Sequence, residues 1–159
     1  MARETPKNVD GYPVVKELGE GASGVVYQVR LPGRQRYAAL KLFTGNLDAG
    51  QILTFKREFG AIARCRHSGI VSVYGLGEHE GRPYILMEFL RGEPLDRAVR
   101  KGLRPMEPLP ADRRETLTDA MLRILDTLKY LHGQRIVHRD IKPANLVMTE
   151  EGEVKLLDF

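Results

Sequence analysis

The stretch His138-Arg139-Asp140-Ile141-Lys142-Pro143-Ala144-Asn145 and the closing pair Asp158-Phe159 place three groups suited to phosphoryl transfer at fixed offsets. Asn145 follows Asp140 by five residues, and Asp158 follows Asn145 by thirteen. A carboxylate beside a substrate hydroxyl can take its proton. An amide oxygen and a second carboxylate are hard oxygen ligands of the kind Mg²⁺ prefers. His138 sits in a tight loop before Arg-Asp, where a histidine is expected to pack and hydrogen-bond rather than transfer protons. His67, His79 and His132 show no metal-ligand spacing.

Gly19-Glu20-Gly21-Ala22-Ser23-Gly24-Val25-Val26 fits G-x-G-x-x-G-x-V. Glycine lets backbone N–H groups approach phosphates with no Cβ in the way. The pattern overlaps the dinucleotide-binding fingerprint, which needs a helix directly after it. Here Val25, Val26 and Val29 follow instead, which favours a hairpin flap and counts against a Rossmann oxidoreductase. Farther on, alternation puts Ala39 and Lys41 on one strand face. A small residue there can cover a flat base while the ammonium reaches phosphates; the rival reading is an ordinary lysine on a solvent face. Glu58 lies between Phe55 and Ile62, its i−3 and i+4 neighbours, on the apolar side of a helix. A carboxylate there wants a cation, and Lys41 is the candidate.

These groups need elements to hold them. Residues 12–31 read as two strands around the Gly-rich turn, 37–43 as a third, and 70–76 and 83–89 as two more. Residues 51–64 read as a helix, with Ile52, Phe55, Phe59 and Ile62 recurring at spacings of three and four. Arg91-Gly92-Glu93-Pro94 interrupts the pattern and is the boundary candidate. A short helix is expected over 95–101 and a proline-bearing loop over 102–111. A long amphipathic helix follows over 112–132, with Leu117, Met121, Ile124, Leu128 and Leu131 on its stripe. Short strands are expected at 136–137, 146–148 and 154–157, the last two joined by a turn at Glu151-Gly152.

The 159 residues are 42% hydrophobic and 29% charged, which suits one modest domain with a core. The net charge of +4 is read as solvated lysine and arginine. No aromatic-basic interleaving and no zinc-finger or RNP-like spacing appears, so no nucleic-acid partner is expected. The single cysteine, Cys65, excludes an intramolecular disulfide and is expected to be a buried structural thiol. No apolar run reaches membrane-spanning length and no signal-peptide pattern is visible, so a cytoplasmic location is expected.

In this order and spacing, the chain resembles the eukaryotic-type (Hanks-type) Ser/Thr protein kinase family. The residues that carry the likeness are Gly19 to Val26, Ala39 and Lys41, Glu58, Met87-Glu88-Phe89-Leu90, His138 to Asn145, and Asp158-Phe159. Lys142 two residues after Asp140, with Pro143 next, resembles the Ser/Thr branch rather than the Tyr branch. The resemblance implies an α+β, protein-kinase-like fold: a five-stranded antiparallel N-lobe with one helix, then the beginning of a mainly helical C-lobe. The division expected is a flexible N-terminus over 1–10, the N-lobe over 11–90, and a hinge with partial C-lobe over 91–159.

The resemblance also implies roles. Lys41 would bind the α- and β-phosphates of ATP and pair with Glu58, beneath a flap formed by Gly19, Gly21 and Gly24. Asp140 would be the catalytic base and Lys142 would neutralise the γ-phosphoryl group. Asn145 and Asp158 would hold Mg²⁺. Val26, Ala39 and Val147 would sandwich the base, with backbone groups of Glu88 and Leu90 at its edge and Met87 as gatekeeper. Ile62, Val73, His138 and Phe159 would stack as a column. The expected partners are ATP and a protein with a Ser or Thr acceptor. The family's DFG glycine, activation loop and large C-lobe helices do not follow Phe159. The chain is therefore expected to be an N-terminal fragment of a kinase domain, inactive alone. The alternative reading is a nucleotide-binding regulatory or interaction module without turnover.

Overall fold

The structure is a computed structural model. It describes residues 5–33, 36–45, 47–103 and 107–157, with Ala49 and Glu58 described by backbone alone. Asp158 and Phe159 lie outside the described residues. The chain divides into two compact units, residues 1–64 with 72–89 and residues 65–71 with 90–159.

Among the described residues, the first unit is an antiparallel sheet with one helix. Its strands are β1 (Asn8–Val9), β2 (Tyr12–Gly21), β3 (Gly24–Arg30), β4 (Tyr37–Phe43), β5 (Val73–His79) and β6 (Arg82–Glu88), and its helix is α1 (Ala49–Ala63). The spatial order is β1-β2-β3-β4-β6-β5. The five expected strands are present, and β1 adds a sixth. Side chains alternate across the sheet. Val25, Tyr27, Val29, Ala38, Leu40, Leu42, Tyr84 and Leu86 share one apolar cluster with Val9. The residues between them, Val26, Ala39 and Lys41 included, therefore point to the other face.

Residues 1–10, expected to be flexible, include an ordered part. Val9 has no exposed surface and pairs with Tyr12 across β1 and β2. Asp10 and Gly11 close that hairpin with φ of 48° and 82°, the primed turn whose twist matches paired strands. The Tyr84 hydroxyl donates to the Asp10 carboxylate, and His79 Nδ1 accepts the Asp10 N–H at 3.1 Å. Burial first, and then the Asp10 carboxylate, push the Tyr84 phenol above its ordinary range. Helix α1 starts two residues before its expected position because Asp48 caps it. The Asp48 side chain accepts the Gln51 N–H at 2.8 Å, and the Gln51 side chain accepts the Asp48 N–H at 2.9 Å.

The second unit contains β7 (Gly92–Pro94), α2 (Leu95–Arg100), α3 (Ala111–Gly133), a 3₁₀ turn (Pro143–Asn145), β8 (Leu146–Thr149) and β9 (Val154–Leu156). Strands β7, β8 and β9 form a three-stranded sheet in that order. Residues 65–71, which chain order places in the first block, group with this unit. Ile70 forms a parallel bridge with Leu156, and Val71 donates its N–H to the Leu156 carbonyl at 3.2 Å. That pairing also explains why the strand expected from residue 70 begins only at Val73. The strand expected at 136–137 is absent. Helix α3 ends there instead, with Arg135 left-handed at φ 60° and the Ile136 N–H donating back to the Leu131 carbonyl at 2.9 Å.

The expected α3 stripe is partly corrected. The buried residues are Ala120, Ile124, Thr127 and Leu131, whereas Met121 is 54% exposed. Thr127 can take a core position because its hydroxyl donates to the Arg123 carbonyl at 2.8 Å within the helix. Cys65 is buried in the same core, as expected. The two faces of α3 predict different responses to truncation. Leu131→Ala should destabilise the protein by about 2–5 kcal/mol. Leu122→Ala, on the exposed face, should cost about 0.5 kcal/mol or less. Urea unfolding of the two variants checks the contrast; equal losses would contradict the assigned helix face.

Candidate active site

In the first unit, Val26 pairs with Lys41 and Lys41 with Ile85, while Ala39 pairs with Met87. The register sets Val26, Ala39 and Lys41 side by side on the face opposite the apolar cluster. Lys41 is only 7% exposed, which rules out the ordinary solvent-face lysine. Its Nζ stands 5.3 Å from the centroid of the Phe43 ring. Phe43 in turn packs on Phe55 and Phe59 of α1, with centroids at 5.2 and 5.8 Å. Glu58 lies on α1, but its side chain, and so its expected pairing with Lys41, lies outside the described residues.

Gly19, Gly21 and Gly24 line the β2–β3 hairpin, and they differ in what surrounds them. A Cβ at Gly24 would meet the Leu42 carbonyl oxygen at 2.3 Å, so the packing of β3 on β4 requires glycine there. A Cβ at Gly19 or Gly21 would meet nothing within 4 Å. No neighbour within the described residues demands glycine at these two positions. At the end of β6, the Glu88 N–H donates to the Ser72 carbonyl at 2.8 Å and the Glu88 carboxylate accepts the Ser72 N–H at 3.3 Å.

In the second unit, the loop 138–145 brings its chemistry-bearing groups together. Asn145 is 4% exposed. Its Nδ2 donates to the Asp140 carbonyl at 2.8 Å and to Asp140 Oδ2 at 3.0 Å. With both of those bonds made by nitrogen, Oδ1 is the side-chain atom left with metal-ligand character. Lys142 Nζ donates to Asp140 Oδ2 at 2.6 Å, with both side chains about half exposed. His138 is 5% exposed. Its Nδ1 accepts the Asp140 N–H at 3.3 Å, so Nε2 carries the proton and donates to the Leu157 carbonyl at 2.8 Å. The Leu157 N–H donates to the Asn145 carbonyl at 2.8 Å. Leu157 thus fixes the chain one residue before Asp158, which itself lies outside the described residues. Nothing in the sequence singled out Leu157, because it acts through its main chain. His138 packs and bonds as its loop position suggested. Val147, on β8, is half-buried.

Of the two expected metal ligands, Asn145 offers Oδ1, a hard oxygen of the kind a divalent metal prefers, and Asp158 lies outside the described residues. Among the described residues, no three His, Cys, Asp or Glu side chains gather to hold a metal by themselves.

The Lys142 hydrogen bond, then the Asn145 one, holds the Asp140 carboxyl below the usual carboxylate range. A lowered folded-state pKa favours the folded loop above the ordinary aspartate range, and the benefit is lost as pH falls through the folded value. A carboxyl ¹³C NMR titration should therefore place the Asp140 midpoint below that of an exposed aspartate. Lys142→Met should move it up. A midpoint that is ordinary in the parent, or unmoved by the substitution, would contradict the assignment.

Residues 12–159 match the protein kinase domain family model. The chain is 36% identical over 148 residues to a serine/threonine-protein kinase, PksC, of Streptomyces coelicolor, covering 89% of this chain and 26% of that protein. It is 34% identical to the probable serine/threonine-protein kinase PknB of Lactococcus lactis, covering 94% and 23%. The crystal structure of the Mycobacterium tuberculosis PknI kinase domain superposes with a TM-score of 0.77 at 32% identity, covering 96% of this chain and 60% of that one. The chain thus spans about a quarter of the length of these curated relatives and three-fifths of the kinase domain compared. No described helix is long and apolar enough to cross a membrane.

Proposed function

The chain belongs to the protein kinase family, and on that premise we propose that it carries the ATP side and catalytic loop of a serine/threonine protein kinase. The reaction is transfer of the γ-phosphoryl group of ATP to a protein hydroxyl, giving ADP and a phosphoprotein. The observation that carries this reading is the loop 138–145, where an ionised Asp140 is held jointly by Lys142 and the buried Asn145 amide.

In this reading, Asp140 accepts the hydroxyl proton of the acceptor residue as the oxygen attacks. Lys142, which sits on Asp140 Oδ2, moves to the γ-phosphoryl oxygens and offsets their charge. Lys41 holds the α- and β-phosphates, aided by Glu58. Gly19, Gly21 and Gly24 bring backbone N–H groups over the phosphates, and the open space at Gly19 and Gly21 supports that approach. Val26, Ala39 and Val147 enclose the base, and main-chain groups of Glu88 and Leu90 meet its edge. Asn145 and Asp158 would hold Mg²⁺, which when bound neutralises phosphate charge and orients the phosphates. Most of the rate then comes from positioning and charge compensation rather than from covalent steps with the protein. The acceptor is a Ser/Thr protein, and the location proposed for the chain is the cytoplasm.

The test is transfer of ³²P from γ-labelled ATP to a protein acceptor, measured in the natural gene product that carries this chain. Asp140→Asn and Lys41→Met should each lower the rate by about 100-fold or more, the scale of a lost general base or phosphate anchor. Label should appear on serine or threonine. Equal transfer by all three proteins would refute the assignment.

A further inference from the structure

The tip of the β2–β3 hairpin is built unlike two other tight turns of its sheet. The β1–β2 and β5–β6 turns place both central residues at positive φ: 48° and 82° at Asp10 and Gly11, 52° and 74° at Glu80 and Gly81. Gly21 pairs with Gly24, which leaves Ala22 and Ser23 as a two-residue tip. Neither takes a positive φ. A two-residue tip without that geometry works against the twist of its strands and tends to splay them.

The tip is restrained from outside the hairpin. Thr44, the residue after β4, donates its N–H to the Ser23 carbonyl at 3.2 Å. Its hydroxyl Oγ1 donates to the Ala22 carbonyl at 3.3 Å. Both central residues of the tip are therefore bonded to one side chain and its own main chain. Thr44 also adjoins Phe43, whose ring lies beside Lys41 Nζ and packs on Phe55 and Phe59 of α1. One dipeptide thus touches the flap, the phosphate-binding lysine candidate and the helix that bears Glu58.

We propose that Thr44 is a positioning residue, a staple that holds the flap tip at the height where its backbone N–H groups meet nucleotide phosphate. The inference rests on the nucleotide-binding reading of the flap given above. The main-chain half of the staple is open to any residue except proline; the hydroxyl half needs threonine or serine.

The experiment compares the parent chain with Thr44→Val, which keeps the shape and removes the hydroxyl, and with Thr44→Ser, which restores it. Two quantities are measured: hydrogen exchange of the amides of residues 19–24, and Mg²⁺-ATP affinity by calorimetry. Thr44→Val should speed flap exchange and raise the Mg²⁺-ATP Kd, each by about three- to tenfold, the range that one hydrogen bond supports. Thr44→Ser should return both to within about twofold of the parent. Equal flap exchange in Thr44→Val and the parent overturns the staple. So does a Thr44→Ser variant that behaves as the valine does. Faster exchange with unchanged ATP affinity overturns the role in nucleotide positioning. A parent that binds no Mg²⁺-ATP while its exchange difference persists overturns the nucleotide reading and leaves the staple standing.

Discussion

The buried Asn145 amide is the interaction on which the loop 138–145 depends. In the proposed function it does two things that conflict in water: it holds a carboxylate fixed and leaves that carboxylate open to a reactant. A surface asparagine would be hydrated and mobile. Burial removes competing water, so the bonds from Nδ2 to the carbonyl and carboxylate of Asp140 set one loop geometry. The cost shows at Arg139, a non-glycine residue at φ 66° between His138 and Asp140. Such strain persists where neighbouring contacts over-determine it. Here the neighbours are His138 and Leu157, whose hydrogen bonds tie the start and the end of the loop to the segment after β9.

The first unit solves a different problem, that of placing a cation where water is scarce. Strict alternation in β3 and β4 commits one face to an apolar cluster and the other to Val26, Ala39 and Lys41. A lysine buried to this degree is unfavourable unless its charge is compensated. The Phe43 ring supplies part of that compensation through its negative face. The same ring joins the strand to α1, so sheet register, helix position and ammonium position are linked through one aromatic residue. The glycines divide along the same line. Gly24 is required by strand packing, whereas the space at Gly19 and Gly21 is open.

Much of this was legible in the residues. The strands with regular alternation and the helix at 49–63 carry strong periodic signals, and each forms within a few residues of its expected position. The groups of the loop 138–145 stood out by residue type and fixed spacing, and the fold brings Asp140, Lys142 and Asn145 together. What escaped has local causes. A two-residue strand at Asn8–Val9 has no periodicity to detect, although Asp10-Gly11 between Val9 and Tyr12 is a hairpin signal. Ile70 looked like the start of a strand because it is β-branched and apolar; tertiary pairing with Leu156 took it instead. Met121 fitted a stripe that counted apolar residues alone, and Thr127 displaced it by satisfying its own hydroxyl inside the helix. Leu157 and Thr44 were invisible as site residues because they act wholly or partly through backbone atoms.

The proposed function places the loop 138–145 at a metal–nucleotide centre. Manganese can replace magnesium at such a site, and its unpaired electrons broaden nearby NMR signals. The most direct test is to titrate Mn²⁺-ATP into the ¹⁵N-labelled protein and follow the Asn145 side-chain amide and the Asp140 backbone amide. Both signals should broaden at substoichiometric Mn²⁺-ATP, before the amides of α3 change, and excess Mg²⁺-ATP should restore them. Broadening that spares residues 138–145, or that spreads evenly over the protein, would contradict it.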